Sequence, residues 1–265
     1  MQVGTVKTES FTMDYCCFGE GEKKLIILPG LSVQRVMGSA QVIAEVYAPL
    51  TKDFTVYVFE RRNDLPSTYT VREMAEDTVR AMEALQLGTV SVFGASQGGM
   101  MAMEMAIGHP ELMERLVLGS TSARVSEERL SLFASWVELA KAGDAKGLYL
   151  AFGEAIYPPL VFAEYQKPLE VIAETVTGED LERFVTLVEG VKGFDIVEKL
   201  KKILCPVLVI GSADDQVLGG EASKEIYENL SGATEHELYM YEGYGHAAYD
   251  LAPDYKKRLL AFLHK

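Results

Sequence analysis

The sequence predicts an α/β fold, a doubly wound and mostly parallel sheet with a helical cap inserted after the sixth strand. Three observations carry that expectation. Short continuous apolar runs such as Leu25-Ile26-Ile27-Leu28 and Val207-Leu208-Val209-Ile210 alternate with stretches of helical periodicity, and runs of that kind belong to strands buried on both faces. The stretch from Val90 to Met100 reads as a buried strand, a very tight turn at Ser96 and a helix. From Thr121 to about Asp195 the strand rhythm stops, and apolar residues recur only at helical spacing.

Taken in order, Val3 to Glu9 and Phe11 to Phe18 alternate and carry Thr, Tyr and Val, so they read as two antiparallel strands closing through the Gly19-Glu20-Gly21 turn. Leu25 to Leu28 is the first buried strand, and it ends in the sharp turn Pro29-Gly30-Leu31-Ser32. Val33 to Leu50 has helical periodicity, Phe54 to Phe59 is a strand, and Glu60 to Pro66 reads as a polar loop. Thr70 and Glu73 have capping-box spacing at the head of a helix running through Leu85. The helix after Ser96 stops at His109-Pro110, and Arg115 to Ser120 is the sixth strand.

The next 70 or so residues are too many for an ordinary loop. Leu130 to Ala140, Val171 to Val176 and Leu181 to Val188 are helical, punctuated by Tyr157-Pro158-Pro159 and Lys167-Pro168. The predicted division is a core of residues 1–121 and 196–265 and a cap of residues 122–195, which holds seven Lys or Arg against thirteen Asp or Glu. Its aromatic residues, Trp136, Phe133, Phe152, Tyr157, Phe162 and Tyr165, either line a pocket or pack the cap onto the sheet. Pro206 to Gly211 is then a strand, Ala222 to Leu230 a helix, Glu237 to Tyr241 the last strand, and Pro253 to Leu263 a terminal amphipathic helix.

Composition narrows the function. A net charge of −14 disfavours nucleic acid and anionic membrane surfaces, both of which demand clustered Lys and Arg. No apolar run reaches the roughly 18 residues of a membrane span, and the N-terminus has no signal-peptide pattern. Three cysteines, Cys16 and Cys17 adjacent, give no disulfide framework, so a reducing cytoplasm is expected. No Cys or His spacing suits a metal, and no cofactor is called for. The partner expected is a small-molecule acyl substrate; nothing marks a separate dimerisation segment.

Gly94-Ala95-Ser96-Gln97-Gly98 fits the nucleophile-elbow pattern G-x-S-x-G, in the strand–turn–helix context that the pattern requires. The turn strains the serine backbone so that its hydroxyl projects from the sheet, and the glycines let strand and helix approach. A serine hydroxyl needs a base, and the base an orienting carboxylate. Of the four histidines, His109 sits at a helix end, His236 precedes the last strand and His264 lies in the tail. His246 alone occupies a glycine-rich loop, Glu242 to His246, just after a strand, where a base reaches the nucleophile. The loop Gly211 to Leu218 supplies two candidate acids, Asp214 and Asp215, and the order Ser, Asp, His suits this architecture. The backbone amides of Leu31 and Gln97 are the expected oxyanion donors. Met100 and Met101 are candidates for an apolar acyl site, as is Trp136 for substrate contact.

These segments match, in order and spacing, those of α/β-hydrolase-fold proteins, and the resemblance covers nearly the whole chain. It implies Asp215 as the triad acid, because the family's acid usually precedes one residue and then Val or Ile, as in Asp215-Gln216-Val217; Asp214 is second. Pro29-Gly30 stands where the family usually has His-Gly, which keeps the backbone donor but removes a side chain. The insertion resembles the helical caps of the esterase, lactonase and C–C hydrolase branches. The dehalogenase branch has aspartate at the position of Ser96. The expected activity is therefore serine hydrolysis of a small ester, lactone or thioester through an acyl-enzyme on Ser96. The alternatives are acyl transfer or C–C cleavage with the same groups, or a low-turnover ligand-binding protein.

Overall fold

The computed structural model describes residues 1–265. Its strands are β1 (Gln2–Lys7), β2 (Thr12–Phe18), β3 (Lys23–Leu28), β4 (Phe54–Arg62), β5 (Val90–Ala95), β6 (Met113–Gly119), β7 (Val207–Ser212) and β8 (His236–Tyr241). They form one eight-stranded sheet in the order β1-β2-β4-β3-β5-β6-β7-β8. Only β2 runs against its neighbours; β4 through β8 are joined by parallel pairings. Every residue of β5 and β7 is buried, as the continuous apolar runs require of strands covered on both faces.

Ten helices surround the sheet: α1 (Ala40–Val46), α2 (Val71–Ala84), α3 (Gln97–Gly108), α4 (Glu127–Lys141), α5 (Ala145–Ile156), α6 (Pro159–Ala173), α7 (Gly178–Glu189), α8 (Glu221–Asn229), α9 (Ala248–Leu251) and α10 (Tyr255–Leu263). Alternate strand residues feed two separate cores. Leu28, Val92 and Leu116 pack with α2 and α3 on one face, while Ile27, Phe93 and Val117 pack with α1 and α10 on the other. The capping box at Thr70 and Glu73 forms as expected.

Helices α4 to α7 make the insert after β6. Its two ends meet: Val125 N donates to the Phe194 carbonyl at 3.2 Å, Ile196 N donates to the Ala123 carbonyl at 2.9 Å, and Arg124 bridges to Asp195. Helix α5, which the pattern reading passed over, packs closely on α6 because Gly153 has no side chain. A Cβ there would lie 2.6 Å from Leu169 Cδ1. Lys167-Pro168 does not end a helix. Pro168 lies inside α6 on an exposed stretch, so the carbonyl that loses its intrahelical donor to the ring is not in the core.

Three further expectations are corrected. The β1–β2 hairpin closes at Thr8–Phe11, where Thr8 N donates to the Phe11 carbonyl and Thr8 Oγ1 accepts from Phe11 N. Gly19-Glu20-Gly21 instead joins β2 to β3 and lies against the start of β4; a Cβ on Gly21 would come within 2.0 Å of the Asp53 carbonyl carbon. Residues 33–50 form only the short α1 between two 3-10 turns, and the amides of Val36 and Met37 at the start of the first turn bind the Glu60 carboxylate. And Glu60, Arg61 and Arg62 are not loop but the end of β4, with Glu60 and Arg61 buried.

Candidate active site

The site lies beyond the carboxyl ends of β3, β5, β7 and β8. Ser96, between β5 and α3, has φ 52° and ψ −124°, a backbone conformation that costs about 1–3 kcal/mol and persists only where its surroundings hold it. Here Ser96 N donates to the Gly119 carbonyl at 2.9 Å, and the Ser96 carbonyl accepts from Thr121 Oγ1 at 2.7 Å. The flanking glycines are obligatory. A Cβ on Gly94 would lie 2.4 Å from the Gly98 carbonyl oxygen, and one on Gly98 would lie 2.0 Å from that of Leu28. Gly30 packs closely against the serine, since a Cβ there would lie 3.1 Å from Ser96 Cβ.

His246 follows β8 in a short 3-10 turn and is buried. Its Nδ1 lies 2.8 Å from Asp215 Oδ2. The other oxygen of Asp215 accepts from the amides of Val217 and Leu218 at 2.8 and 3.0 Å. Burial alone would raise the Asp215 pKa, but the adjacent His246, by its charge and hydrogen bond, and the two amides outweigh it and hold the carboxyl below the usual range. The carboxylate in turn fixes the ring with Nδ1–H toward it and leaves Nε2 as acceptor.

Asp214 points elsewhere. Its carboxylate accepts from Ser212 Oγ at 2.8 Å and from the amides of Gly243 and Gly245 at 3.1 and 3.0 Å. Partial burial works against the charge, yet these donors hold this carboxyl low as well. The adjacent acids thus divide the work: Asp215 meets the ring, and Asp214 holds the loop that carries it.

Ser96 and His246 line one cavity of about 30 Å³ with Gly30, Leu31 and Gln97, and no hydrogen bond joins the hydroxyl to the ring. Gln97 is the first residue of α3, where a helix leaves its amide without an internal acceptor. Met100, Phe133, Trp136 and Phe152 contribute to the wall, whereas Met101 is buried in the core beneath. Tyr157 lines an adjoining crevice; Phe162 and Tyr165 line neither space. The remaining histidines lie elsewhere: His109 beside Glu76, His236 against Tyr227 and His264 beside Asp53. No group of three His, Cys, Asp or Glu side chains converges to hold a metal ion, and no helix is long and apolar enough to cross a membrane.

Sequence reasoning missed the polar frame under the site. Arg61 Nη2 donates to the Pro29 carbonyl at 2.9 Å and to Gln97 Oε1 at 3.1 Å. Gln97 Nε2 donates to the Leu187 carbonyl of α7 at 2.8 Å. Arg183, also on α7, pairs with Glu60 at 2.7 Å, both side chains buried. The frame ties the cap to the Pro29-Gly30-Leu31 turn and to the residue after Ser96.

Strand order, the strained serine turn after β5 and the helical insert after β6 define the α/β-hydrolase class of fold. The chain belongs to the Alpha/beta hydrolase family, whose sequence model matches residues 25–255, and it is an enzyme of that family. Among curated proteins it is 25% identical over 252 residues to "Putative carbamate hydrolase RutD" of Rhizobium rhizogenes, covering 91% of this chain and 92% of that one. It is 29% identical over 209 residues to the protein of the same name in Caulobacter sp., covering 74% and 76%. Among solved structures it resembles an α/β hydrolase from a Medee basin deep-sea metagenome library, with TM-score 0.87, 20% identity and coverage of 99% and 98%. It also resembles the enol-lactonase of Burkholderia xenovorans, with TM-score 0.83, 20% identity and coverage of 99% and 100%. At such identities the structural likeness bears on the fold.

Proposed function

We propose that the enzyme is a serine hydrolase that cleaves a small ester, lactone or thioester through an acyl-enzyme on Ser96. The observation that carries this reading is that His246, 2.8 Å from the buried Asp215, lines the same cavity as Ser96 on its strained turn. Residues 1–121 and 196–265 act as the core and residues 122–195 as the cap. The relatives' name adds carbamates to the substrates worth testing, since the same groups attack a carbamate carbonyl.

In the reaction, Ser96 Oγ attacks the carbonyl carbon while its proton passes to His246 Nε2. Asp215 keeps the ring oriented and stabilises the imidazolium. The amides of Leu31 and Gln97 receive the oxyanion, each donor contributing about 3–4 kcal/mol to the transition state. Collapse breaks the bond to the leaving group, which takes the proton from His246. Water then attacks the acyl-enzyme with His246 as base, releasing the acid and restoring Ser96.

The test is stopped-flow hydrolysis of p-nitrophenyl acetate by wild type and Ser96→Ala, with intact mass measured during turnover. A burst of p-nitrophenol and an acyl adduct on Ser96, both lost in the variant, are the expected results. Turnover that survives Ser96→Ala in full overturns the reading.

A further inference from the structure

Helix α6 packs on the rest of the molecule by one side only. On that side Phe162 and Leu169 lie against Gly153 of α5, and Ala173 is buried. The opposite side carries a stripe of four exposed residues, Leu160, Glu164, Lys167 and Val171. At 3.6 residues per turn they fall within about 60° of one another. Their spacing of four, three and four is that of a coiled-coil seam. The stripe is continuous, because Pro168 sits inside the helix rather than ending it. Leu160 is 85% exposed and Val171 57%. Apolar surface residues scattered singly need no explanation, but these two face the same way about three turns apart, with opposite charges between them. Both charges are free: Glu170, beside Lys146 at 3.2 Å, is the one α6 side chain in an ion pair. Pro168 also has no amide to donate to the Glu164 carbonyl one turn earlier, so that oxygen lacks its helical donor.

We infer that this stripe is the docking surface for a second copy of the chain, with the two α6 helices antiparallel across a twofold axis between Tyr165 and Gln166. The inference does not depend on the chemistry at Ser96. It rests on self-complementarity, since a twofold interface must match its own reverse. Reversed about that axis, position 160 meets position 171, and position 164 meets position 167. Leu160 then covers the partner's Val171, and Glu164 meets the partner's Lys167, each pair occurring twice. The Lys167 ammonium, with three donors, also serves the carbonyl that Pro168 leaves free on the facing helix. A parallel arrangement sets Glu164 against Glu164 and Lys167 against Lys167. A bilayer would bury both charges along with the two apolar residues, at high cost. The charges fix the direction of pairing, and the apolar residues supply the affinity. One four-turn helix per subunit is a contact at the small end of specific interfaces, so the dimer forms in a concentration-dependent way.

The experiment is sedimentation velocity of the full chain from about 1 to about 200 μM, the range in which small interfaces assemble. Wild type passes from monomer to dimer across it. Leu160→Asp raises the dissociation constant by about tenfold or more, because it places a charge in the apolar layer. Glu164→Lys and Lys167→Glu each raise it by about three- to tenfold, since like charges then face each other. The double variant Glu164→Lys/Lys167→Glu returns to within about twofold of wild type, and so does a one-to-one mixture of the two single variants, in which opposite charges meet again. All four positions face solvent, so circular dichroism and thermal melting stay at wild-type values. A wild type that remains monomeric throughout, or a dimer that survives Leu160→Asp and both charge reversals, overturns the inference. Failure of both the double variant and the mixture to recover association overturns the antiparallel alignment.

Discussion

Arg61 and Gln97 meet under the site, Nη2 to Oε1 at 3.1 Å, both side chains out of water. The same guanidinium nitrogen holds the Pro29 carbonyl, so one donor spans the turn bearing Leu31 and the residue following Ser96. Burial pulls the guanidinium pKa down to about 10, against the attraction of Glu60. The side chain stays charged at neutral pH, and its hydrogen bonds are of the stronger, charge-assisted kind.

Arg61 is therefore a positioning residue for the amides of Leu31 and Gln97, the proposed oxyanion donors. Arg61→Met lowers kcat by about 10- to 100-fold, the cost of a small misplacement at the reacting centre, with a smaller change in KM. Arg61→Lys restores the charge without the planar fork and recovers only part of kcat. Steady-state kinetics on folded variants check this; a loss of thermal stability with kcat and kcat/KM both unchanged contradicts it.

The Glu60–Arg183 pair joins β4 to the cap out of solvent. Arg183→Met leaves a buried carboxylate with one charge partner fewer and destabilises by about 3–5 kcal/mol. Adding Glu60→Gln removes the stranded charge, so the double variant is more stable than the sum of the two single effects. Urea unfolding of the four proteins measures the coupling.

The two aspartates separate kinetically. Asp215→Asn loses the ring's orienting carboxylate, and kcat falls by about 10⁴-fold. Asp214→Asn keeps the ring partner and weakens three hydrogen bonds to the loop 243–245 and to Ser212, so its kcat falls by about tenfold, the size of one or two modest bonds. Pre-steady-state bursts on both variants give the ranking.

Stability depends on pH through the same carboxyl. Asp215 titrates lower in the folded enzyme than in the unfolded chain. Between those two values the unfolded chain binds more protons, so stability rises with pH there. The contribution is fully present above the unfolded carboxyl pKa of about 3.9 and fades as pH falls through the folded value. The gap in unfolding free energy between wild type and Asp215→Asn is accordingly widest at neutral pH and narrows below about pH 4, as urea midpoints at several pH values reveal.

Local chemistry made much of this visible in advance. The Thr70–Glu73 capping box, the glycine spacing around Ser96 and the buried runs of β5 and β7 each depend on neighbours in the chain, and the chain displays them. Asp214 and Asp215 stayed undivided on their residues alone, since two adjacent acids in one turn look alike until the ring and the loop amides are placed. Glu60, Arg61 and Arg183 look solvated in sequence. Only the pairing of positions 123 residues apart makes them interior. Helix α5, with Gly147 and Gly153 among apolar residues, offers little polar contrast by which to trace a face.

The meeting of the cap's two ends at Arg124 and Asp195 also bears on ancestry. To the sheet, the excursion between β6 and β7 begins and ends at one point, so its length and content are free of the strand register. A lineage can lengthen, trade or recombine that segment while inheriting Ser96, Asp215 and His246 unchanged. What such descendants would share is the bond-breaking step, and what would diverge is the molecule admitted to it.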